Sequence, residues 1–218
     1  MNKIIKIVLW MLSVLSYIGI ILCYPRLPEK IPTHWNFRWE IDGWSDKKII
    51  LILGLLPLII LFSYAHFFKS KNKFENNTKL AKVYNLLKVV LAIFFIILDW
   101  ITIATAFGYD IRMKALFPAV MGILFILLGN YMPVLKGNYF MGIRNRWTMS
   151  NDTVWRRVHK IGGYLFIVIG FLMMIMGFLQ SDAVNLIIFD LLIIGIVGLN
   201  VYSYIFYRKI NGNMNNRT

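Results

Sequence analysis

The residues best suited to binding chemistry form a cluster of cations between two long apolar segments. The basic loop, residues 133–160, carries Arg144, Arg146, Arg156, Arg157, His159 and Lys160. Guanidinium groups offer forked donors that match carboxylate and phosphate oxygens. The two tryptophans of the loop, Trp147 and Trp155, suit a membrane–water boundary. The loop therefore predicts either a specific site for a protein or a lipid headgroup, or a lipid-touching linker that fixes topology.

Composition indicates which elements position this loop. Of the 218 residues, 59% are apolar and 16% are charged, whereas about a quarter of a soluble domain is charged. A helix of about 20 apolar residues crosses a bilayer core, where the backbone must satisfy its own hydrogen bonds. The apolar segments are 4–23, 49–68, 86–107, 116–132, 161–180 and 184–207. We therefore predict an all-α polytopic membrane protein with six transmembrane helices.

The distribution of positive charge predicts the orientation. Sixteen Lys and Arg residues lie at the N-terminal end (Lys3 and Lys6), in residues 69–85, in the basic loop and at the C-terminus. Residues 24–48, 108–115 and 181–183 hold seven. Positive residues favour the cytoplasmic side, so we expect both termini in the cytoplasm of a multi-pass cell-membrane protein. This bias also explains the net charge of +14, and we expect no direct nucleic-acid binding. Short basic loops attract anionic membrane lipids.

The predicted outer loop, residues 24–48, combines prolines with alternating aromatic residues. Pro25, Pro28 and Pro32 favour extended backbone. Period-two spacing places Trp35, Phe37, Trp39 and Ile41 on one face of an extended segment, and Asp42-Gly43 is a turn signal. We predict an extended arm capped by a turn. Its aromatic face rests on the membrane or on other helices, or it forms a docking surface for an extracellular peptide or lipid. The residues proposed for that surface are His34, Trp35, Asn36, Asp42 and Trp44.

Two acidic residues, Asp99 and Asp190, lie inside apolar segments. Acids within a membrane are costly and are usually functional or paired. At 1.5 Å per residue they lie about 12 and 9 Å from the outer ends of their helices. One hypothesis is a shared pocket, open to the outside, for a cationic or amphipathic ligand. The alternative is that neighbouring hydroxyls or water satisfy each acid separately.

The sequence contains no recognised catalytic motif. HExxH, GxSxG, Walker-type and CxxC patterns are missing, so we expect no enzymatic activity and no cofactor. The acids near His34 match no established metal-site spacing, so we expect no metal. A single cysteine excludes an internal disulfide.

The basic loop and the residues before it resemble the SdpI family of bacterial membrane proteins. In that family a Gly-Asn pair ends a helix and is followed by Asn-x-x-x-Gly-[Ile/Leu]-Arg-Thr-Pro-Trp-Thr, then Val-Trp and a basic turn. The matching residues are Gly129, Asn130, Asn138, Gly142, Arg144, Trp147, Thr148, Val154, Trp155 and His159. Asn145-Arg146 stands where Thr-Pro is usual, which predicts a less constrained backbone at that point.

The N-terminal part resembles a small domain of unknown function that often precedes the SdpI segment. The matching residues are Pro28, Ile31, Pro32, His34, Trp35, Asn36, Asp42, Gly43 and Lys47. Trp39 stands where a glycine is common, which makes a tight turn there questionable. We predict a two-helix region at 1–85 and a four-helix SdpI-like region at 86–218.

The resemblance implies a function. Members of the family confer immunity against a membrane-active peptide toxin, and some relay the event by capturing a cytoplasmic transcriptional repressor. The resemblance thus implies membrane lipids, an extracellular toxin and a cytoplasmic repressor as partners, with the basic loop as the surface that binds the repressor. The alternative is a small transporter or lipid-handling protein.

Overall fold

The chain is mostly helical and contains one two-stranded sheet. The computed structural model describes residues 3–69, 78–135, 137 and 142–215. In these residues the helices are α1 (Lys3–Cys23), α2 (Ile49–Leu53), α3 (Leu56–Lys69), α4 (Thr78–Ala106), α5 (Met113–Tyr131), α6 (Arg146–Ser150), α7 (Asp152–Leu179) and α8 (Asp182–Asn215). The strands are β1 (Lys30–Trp35) and β2 (Ile41–Asp46), which pair antiparallel. By compactness the chain divides into two units, Met1–Phe117 and Pro118–Thr218.

The described helices confirm a membrane protein. Five of them are long and apolar enough to cross a bilayer: those within Lys3–Arg26, Val83–Ala106, Met113–Val134, Asp152–Leu179 and Asp182–Gly212. Their exposed faces carry many large aliphatic side chains, which suits lipid contact. The orientation of the termini stays a prediction.

The predicted second crossing, 49–68, is divided into α2 and α3 rather than formed by one helix. Pro57 lies in the first turn of α3, and its missing N–H cannot bond to the carbonyl of Leu53. The N–H of Gly54 closes α2 by donating to the Ile50 carbonyl at 2.9 Å. The described apolar helical stretch of this segment is Ile49–Phe62.

The first unit is organised around α1 and α4. Trp100 of α4 packs beside Gly19 of α1 and donates its indole N–H to the Ser16 hydroxyl at 2.9 Å. One buried cluster contains Leu9, Leu61 and Ala92. A second contains Ile20, Leu27, Ile31, Ile50 and Ile103, and it fixes β1 against the ends of α1 and α4.

The second unit is built on glycine contacts between α5 and α7. A methyl group added at Gly163 would lie 2.6 Å from the Gly129 carbonyl oxygen, and one added at Gly170 would lie 2.6 Å from the carbonyl oxygen of Gly122. Both pairs are seven residues apart, so the same faces meet twice along the helices. These glycines therefore let α5 and α7 approach closely within one chain.

Helices α7 and α8 form an antiparallel hairpin. Gln180 ends α7 in the left-handed conformation (φ 50°), and its N–H donates to the Met176 carbonyl at 2.9 Å. Helix α8 begins two residues later, at Asp182. The short connection leaves the two helices packed side by side.

Candidate functional site

The extended arm forms as a β-hairpin, but its turn is not at Asp42-Gly43. The chain reverses at residues 36–40, where the Asn36 side-chain oxygen accepts from the N–H groups of Arg38 (2.8 Å) and Glu40 (3.2 Å). Asp42-Gly43 lies within β2. A Cβ at Gly43 would lie 2.7 Å from the Cβ of His34, so this glycine permits close approach of the two strands rather than a turn.

Trp39 forms the tight turn although it replaces a glycine that is common in the family. Its φ is 62°, in the left-handed region that favours glycine. The ring is buried and its centroid lies 4.8 Å from that of Phe117. Trp35 also faces Phe117, at 6.0 Å. Part of the predicted aromatic face therefore rests on protein.

The exposed face of the hairpin retains three of the five predicted ligand residues. The Nδ1 atom of His34 is 2.5 Å from an Asp42 carboxylate oxygen, and both side chains are exposed. Trp44 is 56% exposed and lies on the same face of β2 as Asp42. Trp35 and Asn36, by contrast, are half-buried, and Asn36 uses its oxygen within the turn.

Lys47 holds the base of this hairpin. Its ammonium group lies 3.0 Å from a Glu29 carboxylate oxygen, donates to the Leu27 carbonyl at 3.2 Å and sits 5.4 Å from the Tyr24 ring centroid. Its backbone N–H donates to the Glu29 carbonyl. One cation therefore joins the start of β1 to the end of β2.

The two intramembrane acids have different environments. Asp99 is 3% exposed within the first unit, and its Oδ2 atom has no hydrogen-bond partner among the described residues. On α4 it shares a helical stripe with the buried Ala92 and Ile103. Asp190 is exposed on α8 in the second unit. The shared pocket stays a prediction.

In the second unit, the basic loop is built around a buried histidine. His159 is fully buried, and its Nε2 atom accepts the Ile143 N–H at 3.0 Å. Its Nδ1 atom is 2.8 Å from the Trp155 carbonyl oxygen. Because a carbonyl can only accept, Nδ1 carries the proton and the ring is neutral. The ring also stacks on Trp155, with centroids 3.9 Å apart.

Trp155 and Gly142 complete this arrangement. Trp155 is 1% exposed, and its indole N–H donates to the Leu135 carbonyl at 2.8 Å. Gly142 has φ 109°, and a Cβ there would overlap the imidazole of His159. His159 was expected to be a cation or a hydrogen-bond donor, and it is a buried donor; Trp155 is buried rather than resting at the membrane interface. Both rings are internal and position the loop.

A second fastening joins the loop to α8 through Asn145. Its side-chain oxygen caps α6 by accepting from the N–H groups of Trp147 (3.1 Å) and Thr148 (2.9 Å). Its amide nitrogen donates to Asn200 Oδ1 at 3.1 Å and to Ser203 Oγ at 2.8 Å. Contrary to the expectation of a less constrained backbone, this capping box fixes the start of α6.

The start of α7 is capped by a side chain. Asn151 caps the helix by accepting from the N–H groups of Thr153 (2.8 Å) and Val154 (3.2 Å). Asp152 lies in the first turn, where a negative charge suits the helix dipole. The cap turns the chain directly from α6 into α7.

The cations of the loop remain on the surface. Arg144, Arg146, Arg156 and Arg157 are exposed. Arg156 donates to the Asp152 carbonyl and Arg157 to the Tyr202 hydroxyl, each at 3.3 Å. The half-buried Trp147 ring has its centroid 5.1 Å from that of Tyr204. Arg208 donates to the Tyr204 hydroxyl at 3.0 Å. Asn138, also predicted to bind a partner, lies outside the described residues.

The chain was compared with known proteins. The model of the SdpI/YfhL protein family matches residues 134–204, and that of a domain of unknown function, DUF1648, matches residues 11–61. Residues 134–204 are therefore similar to the SdpI/YfhL family, and residues 11–61 to DUF1648. The Immunity protein SdpI of Bacillus subtilis (strain 168) is 27% identical over 203 residues, which cover 91% of this chain and 93% of that protein. These matches confirm the resemblance to the SdpI family. No solved structure gives a significant match.

Within the SdpI segment, sequence reasoning missed Asn145, Asn200 and Ser203 as a group. Asn145 followed three residues later by Thr148 is a capping-box pattern, which would have predicted α6. The contacts with Asn200 and Ser203 join residues 55 and 58 positions apart, and no local pattern indicates them.

Proposed function

We propose that this protein resides in the cell membrane and protects the cell against a membrane-active peptide toxin. The observation that carries the proposal is the alignment with an immunity protein over nearly the whole of both chains. The alignment includes both the N-terminal hairpin and the basic loop. We propose that the hairpin binds the toxin outside the cell and that the basic loop binds a repressor in the cytoplasm.

The exposed face of the hairpin is suited to a cationic, amphipathic peptide. Trp44 offers a large apolar surface, and Asp42 and Asp46 flank it on the same face of β2. An aromatic ring between carboxylates can pack against apolar side chains while the acids pair with lysine or arginine. Since Trp35 of β1 and Trp39 of the turn pack on Phe117, they hold the hairpin that presents this face.

The exposed arginines of the basic loop are suited to an acidic surface of a cytoplasmic transcriptional repressor. Their guanidinium groups project from a loop that is held to α7 by the Ile143–His159 hydrogen bond and to α8 by Asn145. A ligand can transmit an effect only if it prefers one of two arrangements of the protein. We propose that toxin binding favours the arrangement in which the loop holds the repressor.

The first experiment tests protection. The gene is deleted, cells are exposed to a panel of amphipathic peptide toxins, and the full chain is returned as wild type, Trp44→Ala or Asp42→Asn. We expect deletion to sensitise cells to at least one toxin and the two variants to restore protection poorly. Arg26→Ala, an exposed change before the start of β1, is the matched control and restores it fully. Equal sensitivity with and without the gene contradicts the proposal.

The second experiment separates signalling from protection. Arg144, Arg156 and Arg157 are replaced by Ala, with Arg208→Ala as the control on α8. Transcription is followed genome-wide after toxin exposure, and recruitment of soluble proteins to the membrane is followed by fractionation. We expect protection to persist while the transcriptional response and recruitment are lost only in the triple variant. A response that survives this variant contradicts a role for the loop in holding a repressor.

A further inference from the structure

Helix α8 has two opposite faces with different environments. Its buried residues are Asn185, Ile188, Leu199 and Ser203, which form one stripe, and the helix packs against α7. At 3.6 residues per turn, Asp190 lies roughly 180° around the helix from the centre of this stripe. Asp190 therefore points directly away from α7.

Asp190 belongs to a regular row of exposed residues. The row, here called the α8 seam, consists of Ile187, Asp190, Ile194, Val197 and Val201, with successive spacings of three and four. Every member is exposed, and the four aliphatic ones are between 51% and 65% exposed. The row covers about 21 Å at 1.5 Å per residue, which lies within one bilayer core. Such spacing is that of the contact face of paired helices.

The carboxyl group is what makes this seam more than a lipid-facing surface. Asp190 makes no hydrogen bond or ion pair within the part of the chain that the structure describes. Lipid tails offer neither donors nor acceptors, and an acid in the hydrocarbon is costly unless a partner satisfies it. The seam therefore fits a second aliphatic surface that carries one polar group at the same depth in the membrane as Asp190.

We propose that the α8 seam binds the α8 seam of a second copy of this chain in a parallel two-fold dimer. A second copy inserted in the same orientation always places its own Asp190 at the same depth in the membrane. An unrelated helix need not carry a polar group at that depth. One protonated carboxyl group donates its O–H to the other, so the pair holds at least one proton. The β-branched Ile187, Ile194 and Val201 occupy the alternate positions where such residues favour parallel dimers.

Disulfide crosslinking of the full chain tests this contact. In a Cys23→Ser background, which contains no other cysteine, single cysteines replace Ile194, Val197 or Ile196. Ile196 is the matched control, because it is also exposed (45%) but lies roughly 120° around the helix from the seam centre. Membranes of expressing cells are oxidised with copper phenanthroline, and disulfide-linked species are separated by mass without reduction.

We expect a species of twice the chain mass from the Ile194→Cys and Val197→Cys variants, in several-fold excess over Ile196→Cys. Equal yields at all three positions, no crosslink, or a crosslink only to a different protein would overturn the proposal. In the Ile194→Cys chain, Asp190→Leu should weaken dimerisation roughly 3- to 20-fold, the range for one hydrogen bond between membrane helices. Asp190→Asn should retain it, because two amides can pair. Unchanged dimerisation of the Leu variant would overturn the carboxyl contact.

Discussion

Replacing His159 by phenylalanine isolates the contribution of the buried histidine to the basic loop. Phenylalanine fills a similar volume and can still stack on Trp155, but it accepts no hydrogen bond from the Ile143 N–H. A buried donor left without a partner costs about 1–3 kcal/mol. The Ile143 N–H donates to His159 Nε2 at 3.0 Å when the loop is packed on α7, here called the closed loop. Losing this acceptor raises the free energy of the closed loop and so favours local opening, in which the Ile143 N–H can bond to water.

Hydrogen exchange of the full chain in lipid nanodiscs measures that opening. A cost of 1–3 kcal/mol raises the population of the open loop, and hence the exchange rate of the protected amide, by about 5- to 160-fold. We expect the increase in the peptide that covers residues 142–150. Tyr164→Phe, an exposed aromatic change on the same helix, is the control and leaves exchange unaltered.

Two results would refute this reasoning about His159. One is exchange at residues 142–150 that does not change in His159→Phe. The other is exchange of Ile143 in the wild-type protein at the rate of an unprotected amide, because the hydrogen bond would then not hold the loop closed. Trp155→Phe removes the donor to the Leu135 carbonyl and should loosen the chain at Leu135 instead.

Three further predictions concern packing and capping. Gly163→Val places side-chain atoms against a carbonyl of the facing helix and should lower the free energy of unfolding by about 1–3 kcal/mol or more. The change is measured as thermal inactivation in detergent. Gly198→Val, with nothing within 4 Å of its added Cβ, should leave the free energy of unfolding nearly unchanged. Asn145→Ala should destabilise α6 by about 0.5–2 kcal/mol, seen as faster amide exchange at residues 146–150, whereas equal exchange would show that the cap contributes nothing. Trp39→Ala should cost about 3–5 kcal/mol as a buried ring is lost, and Trp44→Ala should cost little, so similar melting temperatures for the two variants would contradict their assigned burial.

The transmembrane helices are predictable from sequence because their cause is local. Each apolar segment must satisfy its backbone within itself in lipid, so length and hydrophobicity suffice. The same holds for the start of α7, where Asn151 and Asp152 form a cap within one turn. The division of 49–68 could also have been predicted from Pro57. In a single helix over 49–68 this proline would be in the interior, where it removes a backbone hydrogen bond.

The turn of the hairpin was not predictable from the strongest local signal. Both Asn36 and Asp42-Gly43 are turn formers, and cross-strand contacts decide between them. Placing Gly43 opposite His34 allows the strands to approach closely, and it leaves Asn36 to reverse the chain. Trp39 accepts an unfavourable backbone conformation there, and its buried ring offsets that cost by packing on Phe117.

The burial of His159 was hidden by its neighbours in sequence. It stands among exposed cations, yet it lies on the buried helical stripe that includes Trp155, Val158 and Gly162. This three-to-four spacing is visible in the sequence, but Gly142, the residue that leaves room for the ring, lies 17 positions earlier. The neighbouring charges therefore predicted an exposed His159, whereas the helical spacing of the apolar residues predicts a buried one.

The two fastenings of the basic loop explain how its arginines can respond to the helices. His159 holds Ile143 on α7, and Asn145, two residues further along, holds the loop on α8. A displacement of α7 relative to α8 cannot preserve both sets of hydrogen bonds, so one must lengthen or break. Any ligand with different affinities for two arrangements of these helices must therefore change how the loop is held. Replacing the two acceptors on α8, by Asn200→Ala and Ser203→Ala together, keeps the α6 cap while releasing α8. That variant should retain protection against the toxin but lose the transcriptional response, and a normal response would show that the link to α8 carries no signal.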